Sequence, residues 1–306
     1  MGGSAADTGE MFLVNYTLKS LTIKGSIVGG AGARSGLIKS YNLGPCYIGG
    51  SIIGGTGNNS GGLNAFGFSV ATIFVNGDIK GGDVTQEGVT LTNSGFIDGD
   101  ASGTVTVHGS LIGGTNDTTT GKTKVNGSIV LGDATSVIIG GNVTGNVGSG
   151  GQKTAPAILG GPSSLSIGGD VINALIGYGV YPSDDYKESI AYPLTIGTIT
   201  IGGNFTASNI SVGVGAGADL EFGTSDDALK AASIGEAYAG IASIIIKGNL
   251  TGTVGGTDSF GIQAERIGKL SVHGVAVNLA AGQSNDDILT GDSGDVRVRE
   301  LTRVII

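Results

Sequence analysis

The chain has 306 residues, of which 61 are glycine and only 13% are charged. Glycine at about three times its ordinary share of roughly 7% excludes a helical domain, whereas 39% apolar residues supply enough surface for a core and argue against disorder. The net charge of −9 repels phosphate backbones, which excludes nucleic acid as a partner, and no apolar run is long enough for a membrane span.

Residues 1–10 open on Met1-Gly2-Gly3-Ser4 and lack the basic and apolar regions of a signal peptide. They read as a flexible or expression-derived segment, and residues 11–306 as one domain. From Leu21 onward a short unit recurs: apolar-x-apolar-x-Gly-x-apolar. Its copies, in chain order, are Leu21–Ile27, Cys46–Ile52, Ile73–Ile79, Val105–Leu111, Thr123–Ile129, Val137–Val143, Leu165–Val171, Ile199–Phe205, Ile244–Leu250 and Leu270–Ala276, with Val296–Val298 opening an eleventh. Alternating apolar positions predict a strand with one buried face, and the glycine that follows predicts a bend needing permissive dihedrals. Runs such as Gly36-Leu37-Ile38, Gly95-Phe96-Ile97 and Ser233-Ile234 supply the other sides of each coil. A single coil cannot bury its own inward side chains, but coils stacked about 4.8 Å apart can. The predicted fold is therefore all-β: one right-handed parallel β-helix of about ten coils, with loop insertions near 174–193 and 213–240.

The repeat assigns plain roles to several reactive residue types. Cys46, the one cysteine, fills an apolar slot and reads as a buried side chain. His108 and His273 precede the repeated glycine, where other copies carry Lys24, Asn76 or Lys247, and read as outward corner residues. The stretch Asn116–Thr123 approaches a phosphate-binding loop, but a strand rather than a helix follows it. No catalytic residue is assigned.

The two insertions hold the candidate binding residues. In the first, Tyr178, Tyr181, Tyr186 and Tyr192 gather half of the eight tyrosines. Packing of the rings onto the coil is the preferred reading, and contact with a polysaccharide or another surface protein is the functional one. In the second, Asp219, Glu221, Asp226 and Asp227 crowd a glycine turn. Farther on, Asp286, Asp287, Asp292 and Asp295 resemble one turn of the nonapeptide calcium repeat. Calcium is the one cofactor these carboxylates would take, with solvated turns the preferred reading.

With these residues in view, the chain resembles the glycine-rich β-strand-repeat regions of large exported surface proteins of Planctomycetes and Verrucomicrobia. The resemblance rests on Leu21–Gly30, Asp219–Asp227 and Gly294–Glu300 and extends over nearly the whole chain. It implies an extracellular or cell-surface location and a structural or adhesive, non-enzymatic role. Neither Met11–Val14 nor Arg303–Ile306 has the character of a cap, from which a fragment of a larger protein, or end-to-end self-association, is expected. The alternative is a polysaccharide lyase or glycoside hydrolase on the same scaffold, with Asp78, Asp98, Asp100 and Asp170 as its candidate carboxylates.

Overall fold

The computed structural model describes residues 1–101, 103–132, 134–149, 153–179, 195–218, 222–229, 239–253 and 260–302. These residues form strands, turns and bends without a helix, so none of them crosses a membrane as one. The chain divides into two compact units, Met1–Ile158 and Leu159–Ile306. Both are built from parallel-strand sheets, an all-β architecture compatible with a β-solenoid.

In residues 1–158 each pass of the chain contributes one strand to each of three sheets. The first sheet stacks Met11–Leu18, Leu37–Leu43, Ser60–Val70, Thr90–Ala101 and Lys122–Leu131, all parallel. The second stacks Leu21–Ile23, Cys46–Ile48, Ile73–Val75, Thr104–Val107 and Ser136–Ile139. The third stacks the dipeptides Ile27–Val28, Ile52–Ile53, Ile79–Lys80, Leu111–Ile112 and Val143–Thr144. The apolar alternation thus marks the second sheet, and the apolar residue after the glycine begins the third. In register, Cys46, Ile73, Val105 and Val137 form one buried row, and Ile48, Val75, Val107 and Ile139 another. Each such side chain, fully withdrawn from water, contributes about 1.5–3 kcal/mol against the entropy of ordering the coil.

The glycine between the second and third sheets is required by closeness rather than by its dihedrals. Gly50, Gly77, Gly109 and Gly141 are absent from the positive-φ positions, but a Cβ on Gly109 would lie 2.7 Å from the backbone of Gly77 and against the Asp78 carboxylate. The polar residue after each glycine occupies that space. Ser26 Oγ accepts the amide of Ser51 at 3.0 Å, Ser51 Oγ that of Asp78 at 3.0 Å, Asp78 Oδ1 that of Ser110 at 2.8 Å and Ser110 Oγ that of Asn142 at 3.0 Å. Gly50, Gly77, Gly109 and Gly141 meanwhile donate to the carbonyl of the preceding glycine at 2.8–3.1 Å. The Gly-Ser, Gly-Asp and Gly-Asn pairs are therefore hydrogen-bond ladders from one pass to the next; the expected bend is present, but it does not need the permissive dihedrals expected of it.

A second corner, entering the first sheet, has a different chemistry. Here a buried Ser or Asn stands between two left-handed residues, as in Asn59-Ser60-Gly61 and Asn93-Ser94-Gly95. Its side chain accepts a glycine amide: Gly30 to Ser35 Oγ at 2.8 Å, Gly55 to Ser60 Oγ at 2.9 Å, Gly82 to Ser94 Oγ at 3.0 Å and Gly114 to Asn126 Oδ1 at 2.7 Å. Thr123–Ile129, expected as a copy of the second-sheet strand, belongs to this corner and to the first sheet instead. Its Asn126 pairs with Ser94, and its Gly127 has φ +66°. Apolar alternation is common to strands of both sheets, so only the glycine spacing distinguishes them. Gly109 and Gly141 are 32 residues apart, one pass of the chain, and Gly127 falls inside it. Residues 2–8 lie along the first pass, where Gly2 donates to Val28 and Asp7 to Ala33, while Gly32 donates to Gly3 and Gly36 to Thr8.

Residues 159–306 repeat the scheme. One sheet stacks Leu175–Tyr178, Asn209–Val212, Phe260–Ala264 and Val296–Glu300. The next stacks Ser164–Ile167, Thr195–Ile201, Gly240–Ile246 and Leu270–Val272, and the third Val171–Ile172, Phe205–Thr206 and Leu250–Thr251. The corner ladder recurs: Asn204 donates to Asp170 Oδ1 at 2.7 Å and Asn249 to Asn204 Oδ1 at 2.9 Å. Val296–Val298, expected to open a further copy of the second-sheet strand, lies in the first sheet. Two edges end in antiparallel strands: Asp287–Thr290 against Val296–Glu300, and Val275–Ala276 against Leu270–Val272.

Candidate functional site

The second insertion contains a hairpin, Val214–Gly215 against Ala228–Leu229, that follows the strand Asn209–Val212. Asp219 and Glu221 lie outside the described residues. The Asp226 carboxylate ties the turn together, accepting the Ala218 amide and the Thr224 hydroxyl, both at 2.7 Å. Asp227 is buried and accepts the amides of Gly223 at 2.6 Å and Thr224 at 3.0 Å. Burial pushes its pKa up, while the two amides and the Arg299 charge pull in the other direction.

Sheet register places Ser211, Gln263 and Arg299 in one row across three strands, and the Arg299 guanidinium donates to the Thr224 carbonyl at 3.1 Å. Among the described residues, Ser211 Oγ, Asp227 Oδ1, both amide atoms of Gln263 and Arg299 Nε have no hydrogen-bond partner. This is a buried polar layer beneath a hairpin. The opposed signs of Asp227 and Arg299 leave it near neutrality.

The C-terminal carboxylates stand at the ends of strands. Asp286 accepts the Ala280 amide at 3.0 Å, and Asp292 the Leu250 amide at 3.2 Å. Asp295 accepts the Gly252 amide at 3.1 Å as well as the Ser293 hydroxyl. Asp287 forms a two-point ion pair with Arg297 at 2.5 and 2.6 Å, and that hydrogen-bonded pair holds its carboxyl below the usual range. A run rich in Asp and Asn reads equally as calcium ligation or as strand-end capping. Its oxygens here take backbone amides and an arginine. Among the described residues no three His, Cys, Asp or Glu side chains converge.

Tyr178 is buried, its ring lying where a side chain on Gly161 would stand, as a packing residue does. Tyr181, Tyr186 and Tyr192 lie outside the described residues. Cys46 is buried in its row and burial pushes its thiol up to about 12. His108 is exposed at a corner with its ring edge-on to Phe74, at 4.7 Å, and His273 is exposed as well.

Two surface features were not anticipated. On the outer face of the second sheet in residues 1–158, Tyr47 and Phe74 stack at 5.4 Å with nearly parallel rings. Their positions are the x of the repeat, visible in the sequence only once register is known. The other feature is a groove in residues 159–306 with a volume of about 540 Å³, lined among the described residues by Thr195, Gly240, Ile241, Ala242, Arg266, Gly268 and Lys269. No motif marks it, because its walls come from three separate passes of the chain. Comparison with protein-family models, curated proteins and solved structures finds no match to this chain.

Proposed function

We propose that the chain is a single right-handed parallel β-helix that serves as a non-enzymatic structural and adhesive module of a large exported surface protein. The observation that carries this reading is the use made of the carboxylates. Asp78 and Asp170, which a lyase or hydrolase would employ on this scaffold, accept backbone amides of the next pass, and Asp98 accepts the Asn64 amide group at 2.7 Å. The slot of Asp78 and Asp170 is filled elsewhere by Ser26, Ser51, Ser110 and Asn204, which keep the acceptor and lose the acid. A residue interchangeable with serine is selected for a hydrogen bond rather than for a pKa. The repeat of both corner and sheet scheme in the two units supports the single solenoid.

The test is incubation with pectins, alginates and glucans. The reading predicts no new reducing ends and no unsaturated products, and turnover of any of these polymers would overturn it.

A further inference from the structure

The groove at Thr195 and Arg266 lies at the start of the second-sheet strands, apart from the glycine corner ladders. Register sets Thr195, Gly240 and Arg266 side by side in one row, so a hydroxyl and a guanidinium flank a position without a side chain. The fold does not demand glycine there. Gly240 has no positive φ, and a Cβ on it would come no nearer than 3.4 Å to another residue. Lys269 adds a second cation, and both cations are exposed. Among the described residues no carboxylate lines the groove, and neither cation has an ion-pair partner. Among the described residues, two neighbouring carboxylates turn inward: Glu265 accepts the Ala239 amide at 3.0 Å and Glu300 the Ile267 amide at 2.6 Å, both buried. They fix the backbone of the walls without cancelling the charge above it. In a chain of net charge −9, a groove whose described lining is cationic is a local reversal of the surrounding field.

We propose that this groove binds an anionic oligosaccharide. Arg266 and Lys269 read carboxylate or sulfate groups, Thr195 meets a ring hydroxyl, and Ala242, Ile241 and the glycines receive the C–H face of a sugar. At about 540 Å³ the groove is larger than a lone inorganic anion fills and lies within the ordinary range of ligand sites. An acidic peptide is disfavoured because Gly240–Ile246 is paired along both edges and offers no strand edge to extend. The proposal names the ligand class of the adhesive reading and depends on it only in requiring binding without turnover.

Calorimetric titration of the whole chain with oligogalacturonate, sulfated galactan oligomers, neutral galactan oligomers of equal length and a polyglutamate peptide tests it. One or both acidic saccharides bind, which identifies carboxylate or sulfate as the group read, while the neutral oligomer does not; added salt weakens the complex. The double variant Arg266→Gln/Lys269→Gln loses about tenfold or more in affinity. Gly240→Leu fills the trough and abolishes binding with an unchanged melting midpoint. Equal binding of the neutral oligomer or the peptide, wild-type affinity in the double variant, or no acidic saccharide bound would overturn the assignment. Cleaved products in the same samples would instead overturn the non-enzymatic reading and leave the groove in place.

Discussion

Gly109 and Gly127 follow the same apolar alternation in the sequence, yet one stacks on the pass beneath it and the other turns the chain through φ +66°. Substitution separates these roles. Gly109→Ala drives a Cβ to within 2.7 Å of the Gly77 backbone, which cannot move aside, and is expected to cost about 1–3 kcal/mol in a denaturant melt. Gly25 holds the equivalent place with nothing within 4 Å, so Gly25→Ala stays within about 0.5 kcal/mol of wild type. Equal losses at both would contradict the stacking role. The residue above the glycine gives a second contrast. Asp78→Ala strands the Ser110 amide and should cost about 1 kcal/mol, whereas Asp78→Ser restores the acceptor found in neighbouring passes and should be close to neutral. Cys46, buried with its thiol pushed up to about 12, should resist thiol reagents at pH 8 until the protein unfolds.

At the scale of the element, the hairpin over Ser211, Gln263 and Arg299 carries a pH signature. Burial holds the Asp227 pKa above its unfolded value, so the folded state binds the proton more tightly. The stabilisation from that site is complete below the unfolded value of about 3.9 and is lost as pH rises through the folded one. Asp227→Asn keeps the acceptor for Gly223 and Thr224 and cannot ionise. Its stability relative to wild type should therefore increase from pH 3.5 to pH 7, read as the difference in denaturant midpoints. A constant difference would show that folding does not shift the Asp227 pKa and would contradict the assignment.

Strands were more legible than their partners. Nine of the ten repeated segments lie in the sheet that their alternation implied, because inward Ile, Val and Leu must face the same interior at every pass. Thr123–Ile129 went astray because period-two alternation is shared by all half-buried strands. The groove was illegible for a related reason: Thr195, Gly240 and Arg266 come together only through pairings that the local sequence does not encode.

For the whole molecule, the carboxylates taken as candidate calcium ligands bear on both stability and ends. Those described are engaged with amides and Arg297, so thermal melts in calcium and in chelator should share one midpoint. A higher midpoint in calcium would instead show that the native state binds the ion. The antiparallel strand Asp287–Thr290 pairs with the outer edge of Val296–Glu300 and forms the last strand of that sheet.

The parallel stacking of one pass on the next is tested most directly by amide hydrogen exchange of the chain with its glycines isotopically labelled. Gly50, Gly77, Gly109, Gly141, Gly203 and Gly248 each donate to the glycine of the preceding pass and should exchange slowly, while Gly25, which has no such acceptor, exchanges fast. Fast exchange at all seven would contradict the ladder and, with it, the stacked coils.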